Sequence, residues 1–270
     1  NSPIIFNSPH SGRLYESKFL KETRLSWDEI RLSEDCYVDN LLDFVTEFGC
    51  VLMEATFPRA FVDVNRSSHE MDPKIIKGLK KTLITPRIAA GLGVIPRLVG
   101  NGKEIYKKKI SLPEANYRLK NYYFPYHEKL KDIIDKSIQK FGLSVLVDFH
   151  SMPHNSIQNS DKNHTRLPQV ILGDCFGASC HPLLVKKVYD LFVGAGFRVE
   201  MNNPFSGGFI TQNYGTPLSN IHVIQVELDR SLYMNEANFR PHKGYVDIKK
   251  RLRSIIVSFL RFNSFGHLIS

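Results

Sequence analysis

Two histidines that stand at the ends of predicted strands have the residue type and setting of metal ligands. His10 lies in a Ser-Pro-His-Ser-Gly loop directly after a short apolar run, and its small neighbours would let the chain turn sharply there. His150 ends a second apolar run, and Asp148, two residues earlier, points to the same face of that strand. A buried imidazole and carboxylate need polar partners, and a metal site provides them, with Asp148 supporting His150. The alternatives are an ordinary loop histidine and a buried hydrogen-bonded pair.

A third ligand is expected to be acidic or a further histidine, because a catalytic zinc ion usually has three protein ligands and one water. Glu34 and Asp35 lie just ahead of a predicted helix. Asp35 is the first choice, since it precedes the helix body and can face outward with the loop, and Glu34 is the second. Carboxylates at the start of a helix also act as caps or as partners of the helix dipole, and this alternative stays open.

The polar segment of residues 59–66 has the composition of a carboxylate-binding site. If the segment is extended, Asp63 and Asn65 share a face. The guanidinium fork of Arg66, next to Asn65, can contact both oxygens of a substrate carboxylate. The alternative is a structural ion pair of Asp63 with Arg59 or Arg66.

A predicted strand over residues 221–228 ends in acidic residues that suit proton transfer. Gln225, Glu227 and Asp229 lie on one face of this strand. A glutamate near a metal-bound water can take its proton and later protonate a leaving amine, which makes Glu227 the candidate general base. The alternative is a salt bridge between Glu227 and Arg230 at the strand end.

These candidates require a fold that brings strand ends together. Short apolar runs predict strands, and longer stretches with helical spacing of apolar residues predict helices between them. The predicted strands cover residues 3–6, 50–55, 143–149, 169–172, 198–201 and 221–228. The predicted helices cover residues 38–48, 113–141 with a break near Pro125, 181–193 and 246–262. A loop is predicted over residues 86–102. This alternation indicates an α/β fold with a central mixed, mostly parallel sheet covered by helices on both faces. Sites in such sheets gather at the carboxyl ends of strands, where His10, His150 and Glu227 lie.

The composition of the chain is that of an ordinary globular protein. Its 270 residues, 42% apolar and 23% charged, fit one large domain or two small ones, and no linker or repeat divides residues 1–270, so a single domain is expected. Four cysteines without a CxxC pair predict reduced thiols and a cytoplasmic location. The apolar run at residues 255–260 is too short to cross a bilayer. The net charge of +9 suits an anionic substrate.

Five short motifs occur in an order that resembles the N-formylglutamate amidohydrolase family. They are Ser8-Pro-His-Ser-Gly12, Glu34-Asp-Cys-Tyr-Val-Asp39, residues 59–66, Asp148-Phe-His-Ser-Met-Pro153 and Glu227-Leu-Asp-Arg-Ser-Leu-Tyr-Met234. The resemblance implies the fold of the zinc carboxypeptidases and related exopeptidases, whose ligands follow the order His, Glu, His, with an Asn-Arg pair between and a catalytic Glu near the end. Where those enzymes carry their acidic ligand, three residues after the first histidine, this chain has Arg13, so the acidic ligand comes from elsewhere.

The resemblance also implies an activity, which is metal-dependent hydrolysis of N-formyl-L-glutamate to formate and L-glutamate. The expected cofactor is one divalent ion, zinc first, and Glu227 would be the general base. The ligands of the ion would be His10, Asp35 and His150. The residues that bind substrate carboxylates would be Arg59, Asn65 and Arg66 for the α-carboxylate, and Arg97 or Arg230 for a second one.

Two other functions stay open. A metallo-carboxypeptidase or another N-acyl amino acid hydrolase would use the same residues on a larger acyl group. A non-catalytic basic binding protein, for example one for nucleic acid, would need an aromatic and basic surface such as residues 106–109 with residues 117–126. The chain has no Gly-x-Ser-x-Gly elbow, P-loop or dinucleotide fingerprint. The resemblance implies a small anionic N-acyl amino acid as the partner, and neither nucleic acid nor a membrane is expected.

Overall fold

The computed structural model of the chain describes residues 2–79, 83–158 and 167–262. Contacts divide the chain into two units. Within the described ranges, the sheet unit comprises Asn1–Ser8, Cys36–Met53 and Asp132–Ser270, and the loop unit comprises Pro9–Asp35 and Glu54–Lys131. The single domain expected over residues 1–270 remains a prediction.

The sheet unit is built on six strands. In chain order they are β1 Ile4–Ser8, β2 Val51–Glu54, β3 Ser144–Met152, β4 Val170–Gly173, β5 Val199–Met201 and β6 Ile221–Asp229. Across the sheet the order is β2-β1-β3-β6-β4-β5. β1 is parallel to β3, β3 to β6 and β4 to β5, whereas β4 and β6 are antiparallel. The predicted mixed, mostly parallel sheet is confirmed.

Helices flank this sheet, as the alternating pattern predicts. The α-helices of the sheet unit are Val38–Leu42, His154–Gln158, Pro182–Gly194, Phe209–Tyr214 and Gly244–Leu260. Val188, Phe192 and Phe259 from two of these helices line one small apolar gap with Phe6 and Phe149 of the sheet. All five side chains are buried, and full burial of each contributes about 1.5–3 kcal/mol. This packing fixes the strands that carry the polar candidates.

The central strands β3 and β6 are aligned over nine residue pairs. Their register places Asp148 opposite Gln225 and His150 opposite Glu227. Every residue of β3 is buried, which agrees with its nearly continuous apolar run. Polar side chains from two distant stretches of sequence are therefore neighbours in the sheet.

The loop unit has short elements around a buried arginine. Its elements are the helices Ser17–Glu22, Trp27–Ile30, Pro86–Ala89 and Leu112–Arg118, the paired strands Ile76–Lys77 and Ile110–Ser111, and the start of the helix Phe124–Phe141. The guanidinium carbon of Arg118 lies 4.1 Å from the ring centroid of Phe61. Arg118 also donates to Tyr106 at 2.6 Å and to Glu114 at 3.0 Å. These bonds satisfy a charge that would otherwise be costly to bury.

The long helix predicted over residues 113–141 is interrupted, as expected, but by a π-helical turn. This turn covers Leu119–Tyr123 and ends two residues before Pro125. The N–H of Phe124 bonds to the carbonyl of Leu119, five residues back. Pro125 has no N–H and its ring excludes the usual carbonyl contact one turn earlier, which accounts for the wider turn.

Two local predictions were wrong. The segment 59–66 is not extended, because Asp63 Oδ1 accepts a hydrogen bond from the backbone N–H of Asn65 at 2.8 Å and closes a turn. The loop predicted over residues 86–102 begins with a short helix, which Thr85 caps by accepting from the N–H of Ile88. In both places a side chain bonds to nearby backbone, and residue periodicity does not report such bonds.

Candidate active site

His10 lies in a loop whose close backbone approach requires glycine. A Cβ atom on Gly12 would lie 2.2 Å from the carbonyl oxygen of Phe57 and 2.6 Å from that of Ala55. Any other residue at this position would push the two segments apart. The Ser-Gly sequence after His10 therefore holds the histidine against the core of the loop unit, where it is buried.

The imidazole of His10 lies between two carboxylates of the loop unit. Its Nε2 is 2.7 Å from Asp63 Oδ1, and its Nδ1 is 3.5 Å from Asp35 Oδ2. The backbone N–H of Asp35 also donates to the carbonyl of His10 at 2.9 Å. All three side chains are 2% exposed, so His10 is a buried and paired histidine.

Asp63 is held ionised by cationic neighbours. Burial alone would raise the pKa of Asp63, but Arg59 at 2.9 Å, together with His10 and Arg66, holds that pKa well below its ordinary value. An ionised Asp63 accepts a hydrogen bond from Nε2 of His10, and this fixes the tautomer and the ring orientation. The sequence does not predict this role, because 53 positions separate the two residues and the arginines around Asp63 indicate an ion pair instead.

The ion pairs weighed as one interpretation of segment 59–66 are present. Arg59 Nε donates to Asp63 Oδ2 at 2.9 Å. The guanidinium of Arg66 lies 3.9 Å from the same carboxylate and donates to two backbone carbonyls at 2.7 and 3.0 Å. Burial lowers the pKa of Arg66 to about 10, which leaves the group charged at neutral pH. Binding of a substrate carboxylate by Asn65 with these arginines remains a prediction.

Glu34 and Asp35, adjacent in sequence, have different partners. Glu34 accepts hydrogen bonds from the hydroxyl of Tyr15 at 2.7 Å and from Nε of Arg31 at 3.1 Å. Asp35 faces His10 instead. The helix that follows them has no side-chain cap, so capping does not explain either carboxylate. This geometry favours Asp35 over Glu34 as the acidic ligand.

In the sheet unit, Asp148 and His150 form a buried pair on β3. Asp148 Oδ2 is 3.0 Å from Nε2 of His150, and its Oδ1 accepts from the side-chain amide of Asn7 at 2.7 Å. Asp148 is fully buried, and His150 is 2% exposed. The expected placement of both side chains on one face of the strand is confirmed, with Asp148 in contact with His150.

Glu227 is held on β6 by a chain of hydrogen bonds. Its Oε1 accepts from the side-chain amide of Gln225 at 2.9 Å, and Oε1 of Gln225 accepts from the backbone N–H of Gly208 at 2.7 Å. Glu227 is 8% exposed. The amide donor fixes the orientation of the carboxylate on the strand.

The two arginines expected to hold a second carboxylate are bonded to protein groups. Arg97 Nε donates to Asp72 at 3.0 Å in the loop unit. Arg230 is 5% exposed and donates to both the hydroxyl and the carbonyl of Ser151, each at 3.1 Å. Contact of Arg97 or Arg230 with a substrate carboxylate remains a prediction.

Within the described residues, one group of potential ligands could hold a metal ion, and it consists of His10, Asp35 and His150. Each offers one ligand atom, and these atoms lie within 4.8 Å of one another. Two imidazoles and a carboxylate, all buried, are typical donors of a catalytic zinc site. Each imidazole also bonds a carboxylate, Asp63 or Asp148, as metal-binding histidines usually do. The residues present therefore fit a metal ion.

Comparison with known proteins identifies the family of the chain. A family model described as N-formylglutamate amidohydrolase matches residues 2–234. The chain belongs to the N-formylglutamate amidohydrolase family. It is therefore an amidohydrolase, and the family resemblance seen in the five motifs is confirmed.

Relatives of this family member match nearly its whole length. An N-formylglutamate deformylase of Pseudomonas aeruginosa is 29% identical over 266 residues, which cover 96% of this chain and 91% of the relative. One of Pseudomonas putida is 29% identical over 237 residues, with 87% and 82% covered. The crystal structure of an N-formylglutamate amidohydrolase from Ralstonia eutropha JMP134 superposes with a TM-score of 0.91 at 29% identity, covering 98% of this chain and 95% of that one.

Several aromatic residues of the surface that a nucleic-acid-binding function would need are buried. Tyr106, Tyr123 and Tyr126 are buried, so they are not placed to stack on bases. A cavity of about 460 Å³ in the loop unit is lined by two glutamates and by five lysines, which are Lys18, Lys21, Lys107, Lys108 and Lys109. In the described parts of this amidohydrolase, no helix is long and apolar enough to span a membrane.

Proposed function

We propose that this family member hydrolyses the amide bond of N-formyl-L-glutamate, releasing formate and L-glutamate. The observation that carries the proposal is the buried group of His10, Asp35 and His150 in a chain whose relatives are named for this reaction. The expected cytoplasmic location is supported by four free cysteines, of which three are buried.

His10, Asp35 and His150 would hold one divalent ion, with zinc favoured by two nitrogen donors and one oxygen donor. Both histidines would coordinate through Nδ1, since Nε2 of each bonds to a carboxylate. When bound, zinc lowers the pKa of a coordinated water and polarises a carbonyl oxygen.

Glu227 moves the protons in the proposed reaction. Its carboxylate, oriented by Gln225, accepts a proton from the water that attacks the formyl carbon. The same group then delivers that proton to the amide nitrogen as the C–N bond breaks. The products are formate and the free amine of glutamate, so one water is consumed and all atoms are accounted for.

Arg59, Asn65 and Arg66 are the proposed partners of the substrate α-carboxylate. Their support is charge and proximity in sequence: Arg66 stays protonated at neutral pH, and Arg59 is the more exposed of the two, at 23% against 12%. The second carboxylate of a glutamyl substrate needs a further partner, for which Arg97 and Arg230 are the sequence candidates.

A panel of N-acyl amino acids tests the proposal. Zinc-loaded protein is assayed with formyl, acetyl and succinyl derivatives of glutamate and of an uncharged amino acid. The highest kcat/KM is expected for N-formyl-L-glutamate. Preference for a larger acyl group would support the alternative of another N-acyl amino acid hydrolase or a carboxypeptidase, and absence of any hydrolysis would refute both.

A further inference from the structure

His154 and Asp229 form a hydrogen-bonded pair just beyond the carboxyl ends of β3 and β6. Nδ1 of His154 is 2.7 Å from Oδ2 of Asp229. Asp229 is the last residue of β6 and lies opposite Met152, the last residue of β3. Its side chain is 4% exposed, whereas that of His154 is 38% exposed. A buried carboxylate thus anchors a histidine that reaches solvent.

Several bonds hold this pair in one orientation. The second oxygen of Asp229 accepts from the backbone N–H of Ser231 at 2.9 Å. The backbone N–H of His154 donates to Glu236 at 3.1 Å, and the hydroxyl of Ser231 lies 3.3 Å from Nδ1. All of these contacts leave Nε2 of the imidazole unused, among the residues that the structure describes. The ring is therefore oriented through Nδ1 and presents Nε2 as its second hydrogen-bonding atom.

The position of the pair along the sheet matches the length of the substrate. Asp229 follows Glu227 by two residues on the same face of β6, and a strand rises about 3.3 Å per residue, so the two positions are roughly 6.6 Å apart. In an extended N-formylglutamate, ordinary bond lengths place the side-chain carboxyl carbon about 6 Å from the formyl carbon. With the formyl group beside Glu227, the distal carboxylate reaches the level of His154.

We propose that His154, oriented by Asp229, binds the side-chain carboxylate of the glutamyl substrate through Nε2. Through its two ring nitrogens an imidazole can bond Asp229 and a second carboxylate at the same time. Arg230, the sequence candidate nearest this place, is almost fully buried and bonded to Ser151, and Arg97 is paired with Asp72. This inference rests on the proposed function and assigns its specificity for glutamate to one residue.

Two substrates that differ at the side-chain carboxylate test the assignment. They are N-formyl-L-glutamate and N-formyl-L-norvaline, which has a methyl group in place of the carboxylate. His154→Ala is expected to lower kcat/KM for the first by about tenfold or more, mainly through KM, and to change the second by less than threefold, because only the first uses the lost bond. His154→Gln, which keeps side-chain volume, and Asp229→Asn, which keeps shape, should lie between wild type and His154→Ala. His242→Gln changes another histidine of the sheet unit, which contacts Ser231. It should leave the ratio of the two kcat/KM values, N-formyl-L-glutamate over N-formyl-L-norvaline, unchanged.

The outcomes separate this inference from the proposed function. An equal loss on both substrates in His154→Ala and His154→Gln, with a lowered melting temperature, would make His154 a structural residue and overturn the inference. A fully active His154→Ala variant with the wild-type preference for N-formyl-L-glutamate over N-formyl-L-norvaline would overturn the inference as well. If zinc-loaded wild-type protein does not hydrolyse N-formyl-L-glutamate at all, the proposed function fails first and this inference fails with it.

Discussion

His150 lies directly opposite Glu227 in the register of β3 and β6. Neighbouring strands are about 4.8 Å apart, so a ligand on one strand and a base on the next can act on the same water. The two side chains are held by separate partners, Asp148 and Gln225. A change in Glu227 should therefore affect proton transfer without disturbing His150.

The first prediction concerns Glu227→Gln. The amide keeps the shape of the side chain and removes the base, so kcat should fall by about 10²-fold or more while bound metal is retained. Steady-state kinetics and metal analysis of the purified variant measure the two effects. Glu200→Gln, in the edge strand β5 of the same sheet, is the matched control and should behave as wild type. Loss of metal in Glu227→Gln would make Glu227 a ligand and would reopen the choice of base.

The second prediction compares two adjacent carboxylates. Asp35→Asn should weaken zinc binding by at least tenfold, because it removes an anionic ligand. Glu34→Gln should change zinc affinity much less, since Glu34 is bonded to Tyr15 and Arg31. Competition with a chromophoric chelator measures both affinities. The reverse ranking would transfer the ligand role to Glu34.

Much of the fold and part of the site can be predicted from the sequence. The strands β1, β3 and β6 are predicted because they are apolar runs with polar residues at their ends, and their alternation with helices indicates the sheet. Asp148 and His150 are predicted as a pair because two positions along one strand share a face. In these cases the information is local.

What could not be predicted depends on contacts between distant residues. Asp63 pairs with His10 across 53 positions, and segment 59–66 forms a turn around Asp63 where an extended conformation was expected. The His154–Asp229 pair joins positions 75 apart. No periodicity marks such contacts, because they arise only once the strands and loops have packed.

The third prediction concerns Arg66. If its guanidinium holds a carboxylate in both the ground state and the transition state, Arg66→Ala should raise KM at least tenfold with a smaller change in kcat. Arg66→Lys should rescue only in part, because an ammonium cannot reproduce the bidentate fork. Arg24→Ala, which removes an exposed arginine paired with Glu104, serves as the control. An unchanged KM would leave Arg66 as a structural partner of Asp63.

The fourth prediction is a loss of stability in acid that comes from His222. Both ring nitrogens of this β6 residue are buried without a hydrogen-bond partner among the described residues. Burial, with a smaller contribution from His181, lowers the pKa of His222 to about 4 from 6.5. As the pH is lowered, the unfolded chain binds this proton near pH 6.5 and the folded chain only near pH 4. The free energy of unfolding should therefore decrease as the pH is lowered from 6.5 to 4, by up to about 3 kcal/mol, and should level off below pH 4.

Urea unfolding of wild type and His222→Phe between pH 7 and pH 4 measures this effect. The variant keeps a ring of similar size without a titrating group, so its stability should depend less on pH across this window. His69→Gln replaces an exposed histidine and should retain the wild-type dependence. Identical pH profiles for His222→Phe and wild type would show that His222 contributes nothing to the acid sensitivity.

The fifth prediction is the metal dependence of formate release from N-formyl-L-glutamate, measured on the same preparation before chelation, after chelation and after added zinc. About one zinc per chain is expected, as a three-ligand site would hold. Chelation should abolish formate release and zinc should restore it, whereas His10→Ala and His150→Ala should neither bind the ion nor recover activity. Undiminished formate release from the metal-free protein, or wild-type zinc content in both histidine variants, would contradict the assignment of a metal-dependent deformylase.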